Sequence, residues 1–288
     1  MPMSPVKGKL IICPTPLGNL GDMTARAREA LAGCDGVCCE DTRVTGKLLA
    51  VLGISKRLER LDEASIAAKA PALLDRVEAG ERICYCSDAG MPGVSDPGQR
   101  LIDLAYDRGL PVEILPGGTA VATAYVASGF TAPSFYFGSF FPRKAGERTA
   151  VLEQLRDLDA VLVFYESPQR IVSALDAVAG VFPLRRVAVC RELTKLHEEV
   201  VRGLSDEVAR VFQERAQEGQ IRGEIVLVID APSAEEQRTR AEGDREAAER
   251  EARALLDAGE LSKKEIVARL REAYGLSRND AYEIVHGA

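Results

Sequence analysis

Between Ser87 and Gly98 the chain reads Ser87-Asp88-Ala89-Gly90-Met91-Pro92-Gly93-Val94-Ser95-Asp96-Pro97-Gly98. Two carboxylates, two hydroxyls and three glycines fall in this stretch. Carboxylates and hydroxyls exchange hydrogen bonds with a ligand, and glycine lets backbone approach it closely. The preceding Ile83-Cys84-Tyr85-Cys86 is a short apolar run that predicts a buried strand. The following Gln99–Arg108 has the spacing of an amphipathic helix, with Pro97 near its first turn. A polar loop therefore leaves the C-terminal end of a strand and feeds a helix, the place where open α/β sheets bind small ligands. An ordinary strand-to-helix turn has the same composition, so the neighbouring loops decide its meaning.

Three further loops follow predicted strands. Lys9–Cys13 leads into Pro14-Thr15-Pro16-Leu17-Gly18-Asn19-Leu20-Gly21-Asp22. This segment lacks the glycine fingerprints of nucleotide folds. Pro14 and Pro16 also have no N–H to offer a phosphate. Asp35–Cys39 ends in Glu40-Asp41-Thr42-Arg43, whose charges suit either a helix N-terminus or a site. Val112–Leu115 ends in Pro116-Gly117-Gly118-Thr119, with Thr119 as cap of a helix to Ser128. Alternating strands and helices predict a mainly parallel sheet covered on both faces. Right-handed crossovers then bring loops 14–22, 40–43, 87–98 and 116–119 to one edge.

A second block begins near Thr119. Phe135–Phe140 predicts an aromatic strand, followed by Phe141-Pro142-Arg143-Lys144-Ala145-Gly146-Glu147-Arg148. Aromatic rings beside cations suit either contact with nucleic acid or a solvated loop. Strands are expected over Asp159–Tyr165, Arg186–Cys190, Glu198–Gly203 and Ile225–Ile229, giving a mixed sheet. Ser167 and Pro168 predict a helix start, with the helix running to Val181. Ala231–Asp244 reads as a linker or exposed helix, and Ser262–Tyr274 and Ser277–His286 as two helices broken at Gly275. Lys263, Lys264, Arg269, Arg271 and Arg278 line the polar surface of that last unit, which suits nucleic acid or a dimerising helix pair. The expected architecture is α/β: an N-terminal domain over 1–118, a second over 119–232, and a small helical module over 233–288.

The net charge of −7 argues against broad, unspecific nucleic-acid binding, though not against a local basic patch. The seven cysteines lie mostly in apolar runs without zinc-like spacing. We expect no disulfide, no metal site and a reducing, cytoplasmic setting. No apolar run approaches the ~20 residues of a membrane span, and Met1–Leu10 lacks a signal-peptide core.

Six blocks in order carry a resemblance: Pro14–Leu20, Glu40–Arg43, Ser87–Gly90, Ser95–Gly98, Tyr165-Glu166-Ser167-Pro168 and Arg191-Glu192-Leu193-Thr194-Lys195. Together they resemble the 16S ribosomal RNA cytidine 2′-O-methyltransferases of the tetrapyrrole-methylase superfamily. The resemblance implies S-adenosylmethionine (SAM) as methyl donor, a ligand cleft between two α/β domains, a homodimer, and the small ribosomal subunit or its 16S rRNA as partner. It also implies that Ser87, Asp88, Ala89, Gly90, Val94, Ser95 and Asp96 wrap SAM, with Pro14, Ala120, Tyr165 and Leu193 lining the rest. SAM has no phosphate, which agrees with the two prolines in the first loop. Met91, Gly93, Gly118 and Arg222 depart from the family's usual residues. Leu61-Asp62-Glu63-Ala64-Ser65-Ile66 stands where many members carry a His-x-His-Asn-Glu-like loop, so no role of that loop carries over.

A ribose hydroxyl is a weak nucleophile that a general base would help. Glu40, Asp41, Asp96 and Glu224 are the candidates, with nothing in the sequence to choose among them. Arg43, Arg143, Lys144, Arg191 and Lys195 are candidates for RNA phosphates. Two alternatives share the cofactor: C-methylation of a tetrapyrrole, and a non-catalytic SAM-binding scaffold. A tetrapyrrole enzyme would need fewer basic loops and no basic C-terminal helices.

Overall fold

The computed structural model describes residues 8–287. They form two compact units: residues 8–155 with Asp159–Asp230, and Arg156–Leu158 with residues 231–287. The first unit contains both sheets. Strands β1 (Lys9–Ile12), β2 (Gly36–Cys39), β3 (Leu58–Arg60), β4 (Arg82–Cys86) and β5 (Val112–Ile114) are all parallel, in the order β3-β2-β4-β1-β5. The strand pleat sorts successive residues onto opposite faces. Leu10, Ile12, Ile83 and Tyr85 join a core with helices α3 (Ile66–Glu78) and α4 (Gly98–Asp107). Ile11, Cys13, Cys84 and Cys86 join another with α1 (Ala25–Gly33) and α2 (Thr42–Val51). Burial on both faces explains why β1 and β4 are continuous apolar runs. All seven cysteines are buried and free. Burial pushes the Cys38 and Cys190 thiols up to about 12, so they stay neutral and pack as small apolar groups.

The second sheet is mixed, as the sequence predicts. Its order is β6-β7-β10-β8-β9, from β6 (Phe135–Phe140), β7 (Val161–Glu166), β8 (Arg186–Arg191), β9 (Glu199–Leu204) and β10 (Ile225–Ile229). The β6–β7 pair is parallel and the rest antiparallel. Helix α5 (Ala120–Ser128) covers one face; α6 (Ala145–Gln154), α7 (Ile171–Val181) and α8 (Ser205–Gln217) cover the other. The α7 start departs from expectation. Ser167–Arg170 makes a separate turn, with Arg170 and Ile171 N–H groups both donating to the Ser167 carbonyl. Helix α3 starts at Ile66, after a turn in which the Asp62 and Ser65 side chains each accept the other residue's backbone N–H.

Gly138 shows how closely β6 is packed. A Cβ there would stand 2.1 Å from the buried Phe164 ring. Gly138→Ala is expected to cost about 1–3 kcal/mol through overpacking. The check is the urea midpoint, and an unchanged midpoint would refute the tight contact.

The second unit is three helices: α9 (Ala234–Ala258), α10 (Lys263–Tyr274) and α11 (Arg278–Gly287). Of the two readings of Ala231–Asp244, linker or exposed helix, the second holds from Ala234 on, where it forms the first half of α9. The three helices bury Ala248, Ala252, Ile266, Leu270, Ala281, Ile284 and Val285 together. A Ser262–Glu265 capping box starts α10, and left-handed Gly275 stops it. Arg269 is bonded to Glu251 at 2.7 Å. Among the described residues no helix is long and apolar enough to cross a membrane, and no His, Cys, Asp or Glu group is arranged to hold a metal.

Candidate active site

The four loops meet at the C-terminal edge of the parallel sheet. Thr15 and Gly90 exchange backbone hydrogen bonds of 3.0 and 3.1 Å. The Asp41 N–H donates to Asp88 Oδ1 at 3.0 Å. Gly90 has a φ of +78°, and a Cβ there would fall 2.9 Å from Leu17 and 3.2 Å from the Gly118 carbonyl. Glycine alone lets loops 14–22, 87–98 and 116–119 close on one another. Above them opens a cleft of about 420 Å³. Its floor is Ser87–Gly90 and Val94–Asp96, with Glu40 from the end of β2. Thr119 and Ala120 at the α5 start, and Phe140, Tyr165, Glu166 and Glu224 from the second sheet, complete the walls.

The four candidate bases sort by what already holds them. Asp41 caps α2 through the Arg43 N–H at 2.8 Å and pairs with the Arg43 guanidinium at 2.5 Å. That side chain holds the Asp41 carboxyl well below the usual range. Asp96 accepts from the Gly93 N–H and the Gly98 N–H, each at 2.8 Å, and so shapes the loop. Glu224 stands at the rim, paired with Lys195 at 3.1 Å. Glu40 is half-buried and forms no ion pair among the described residues. Burial raises its carboxyl, and the like charges of Asp88 and Asp96 raise it further. The Asp88 N–H partly opposes this. Asp88 is itself raised by burial. The Tyr165 phenol is pushed up to about 12 by burial, so it stays protonated.

Eleven expected residues line the cleft together: Glu40, Ser87, Asp88, Ala89, Gly90, Val94, Ser95, Asp96, Ala120, Tyr165 and Glu224. Pro14 and Leu193 stand behind it. Gly117 packs so closely on Pro14 that a Cβ would lie 2.3 Å away. Leu193 is buried in the core beneath α5. Of the expected RNA contacts, Arg43, Arg143 and Lys144 are exposed. Arg191 is drawn to Glu199 at 3.1 Å, and Lys195 to Glu192 at 2.9 Å. Arg148, in the first turns of α6 just after the Arg143 loop, is buried. It donates at 2.7 Å to the Pro142 carbonyl and to Ser173 Oγ. No Lys or Arg is among the lining residues.

Glu166 is a lining residue that sequence reasoning left without a role. Its carboxylate is fully buried; Oε1 accepts from the Ser167 N–H at 2.7 Å and meets Arg170 at 2.6 Å, while Oε2 has no partner among the described residues. The signal was present, since a carboxylate ending an apolar strand is unusual in a core. Phe140, Ile225 and Val226 join the wall through sheet pairing, which local spacing does not reveal, with Gly223 just before β10.

Comparison with known proteins agrees with this geometry. The model of the tetrapyrrole (corrin/porphyrin) methylases matches residues 9–209. The chain is 36% identical to the ribosomal RNA small subunit methyltransferase I of Streptococcus pyogenes, over 97% of this chain and 95% of that protein. It is 43% identical to the Mycobacterium tuberculosis protein of the same name, over 79% of this chain and 80% of that one. Among solved structures, diphthine synthase superposes with a TM-score of 0.61 at 13% identity, covering 77% of this chain and 90% of that one. The uroporphyrin-III C-methyl transferase of Thermus thermophilus, solved with S-adenyl homocysteine, superposes with a TM-score of 0.53 at 18% identity, covering 77% and 97%. At such identities the structural likeness is one of fold, whereas the sequence matches extend over nearly the whole chain. The chain therefore belongs to the tetrapyrrole methylase family, within its group of ribosomal RNA small subunit methyltransferases I.

Proposed function

We propose that the chain transfers a methyl group from SAM to the 2′-hydroxyl of a cytidine ribose in the 16S rRNA of the small ribosomal subunit. The observation that carries this reading is the near full-length match to proteins named ribosomal RNA small subunit methyltransferase I. The cleft suits the cofactor on its own evidence. Its volume of about 420 Å³ lies within the roughly 300–1,000 Å³ of small-molecule sites. Glu166 and Glu224 are neutralised by Arg170 and Lys195, but Glu40, Asp88 and Asp96 face the cleft with no Lys or Arg among the lining residues, which favours a cationic ligand and disfavours phosphate. When bound, SAM supplies an electrophilic methyl on a sulfonium.

The chain's own residues do the rest. Ser87–Gly90 and Val94–Asp96 offer backbone and hydroxyl groups to the donor; Ala120 and Tyr165 close its far side, with Pro14 and Leu193 supporting from behind. Glu40 accepts the proton of the ribose hydroxyl. Holding both partners in line and excluding water supply much of the acceleration. Arg43, Arg143 and Lys144 take phosphates outside the cleft, while Arg191 and Lys195 order its rim. The reading takes 1–118 and 119–232 as the domains flanking the cleft and 233–288 as an accessory module. It also takes the enzyme to be a cytoplasmic homodimer that acts away from membranes.

Nucleotide-resolved mapping of ribose methylation in small-subunit rRNA, with and without the chain, tests this function. One lost 2′-O-methyl cytidine is expected; an unchanged map would redirect the search to a tetrapyrrole acceptor. Reversing Arg143 and Lys144 together to Glu should weaken RNA binding on the order of tenfold or more and lower its salt dependence, with SAM affinity intact. An unchanged salt slope would remove both residues from the RNA interface. Arg148 is left out because its buried guanidinium holds the loop.

A further inference from the structure

The β6–β7 register holds for Phe135↔Val161, Tyr136↔Leu162 and Phe137↔Val163, then slips by one so that Phe140 pairs with Tyr165. A one-residue slip moves every following side chain to the other face. Without it, Phe140 would share the Phe164 face, and Phe141 would face the cleft side. With it, Phe141 enters the core against Phe164 at 4.9 Å. Phe140 comes to the mouth of the cleft, 58% exposed. Its ring stands edge-on to Tyr165, centroids 5.4 Å apart at 67°, and Phe137 braces Tyr165 from 5.0 Å. Bulges beside active sites commonly re-aim a side chain.

The bulge is held from across the cleft. Ser139 and Ser95 both have left-handed backbone, φ +58° and +68°, and their hydroxyls lie 2.9 Å apart. Non-glycine residues persist in that conformation where surrounding structure enforces it, and such strain clusters at functional sites. A large, 58% exposed ring, packed edge-on against a braced aromatic group, is thus presented at the cleft that Glu40 also lines.

We propose that Phe140 is the platform on which the base of the acceptor nucleotide stacks. This rests on the reading that the acceptor is RNA. The acidic cleft repels phosphate, so the nucleotide enters by its base and ribose. A base drawn out of its own stack needs a replacement π surface, and an exposed aromatic ring supplies one to any base.

The test uses the full chain with a single-stranded RNA oligonucleotide carrying the fluorescent analogue pyrrolo-cytidine, whose emission is quenched by stacking. Wild type should quench it. Phe140→Ala and Phe140→Leu should bind on the order of tenfold more weakly and lose the quench, and Phe140→Tyr should restore both. SAM affinity is measured by calorimetry for each variant, and quenching is compared at saturating SAM because Phe140 also lines the cleft. The platform is overturned if wild type does not quench the probe, if Phe140→Ala quenches like wild type, or if Leu rescues as well as Tyr. It is also overturned if the loss merely follows a change in oligomeric mass. Methylation of small subunits by wild type is scored separately. Quenching without methylation would refute the rRNA reading alone, and methylation with a fully quenching Phe140→Ala would refute the platform alone.

Discussion

Glu40→Gln is expected to slow methyl transfer by about 10²–10⁴-fold, the usual contribution of a positioned general base, with SAM affinity close to wild type. Asp41 is tied to Arg43, Asp96 to two backbone N–H groups, and Glu224 to Lys195, whereas Glu40 faces the cleft with no ion pair among the described residues. Burial and two neighbouring carboxylates raise its proton affinity, which makes it a better base than an ordinary glutamate. The acidic limb of the rate profile should therefore lie above the usual carboxylate range. Stability should move the other way. A carboxyl raised by folding favours the folded state at low pH, and that contribution disappears as pH rises through the folded value. At neutral pH ionised Glu40 is a cost that Gln removes. The variant's melting temperature should then equal or exceed wild type, with the difference growing as pH rises from the ordinary carboxylate range through the raised folded value. A variant that keeps full single-turnover rate would eliminate Glu40 as the base.

Asp96→Ala should act on binding rather than on proton transfer. The substitution strands the Gly93 and Gly98 N–H groups, which Asp96 holds at 2.8 Å. Leaving partly buried donors unmade costs about 1–3 kcal/mol. The 93–98 turn, with φ of +94° at Gly93 and +68° at Ser95, loses the acceptor that fixes it. SAM affinity is expected to fall on the order of tenfold or more, read by calorimetry, together with a lower denaturant midpoint. Asp96→Asn keeps one acceptor oxygen and should recover part of both. At saturating SAM its turnover should stay near wild type. If Asp96→Asn instead binds SAM normally and loses turnover, then Asp96 is the base and the assignment of Glu40 falls.

The loops around the cleft were the most legible part of the chain. Four polar, glycine-bearing segments after apolar runs predicted one sheet edge, and they meet there through the Thr15–Gly90 and Asp41–Asp88 bonds. Local rules also carried the ends of α2, α5 and α10, because caps such as Asp41, Thr119 and Ser262 act within three residues. The Ser167 start failed because its turn stops short of the helix, and the split of Arg143 from Arg148 was invisible. The two arginines are five residues apart, Arg143 in the loop and Arg148 within α6, yet only Arg148 meets Ser173, twenty-five residues away.

The α/β alternation, the mixed second sheet, the loops that form the cleft and the missing N–H donors at Pro14 and Pro16 can all be read from the residues in order. Each of these follows from side-chain period, backbone permissiveness or capping, which operate over a few residues. Only the tertiary structure decided which carboxylate stays free, which cations are accessible and which way Phe140 points. Those outcomes depend on partners distant in the chain: Asp96 beside Glu40, Glu224 beside Lys195, Ser139 against Ser95, and the single slipped residue between β6 and β7. Charge and aromatic character are written residue by residue, but their use depends on desolvation and pairing, which exist only once the chain has folded.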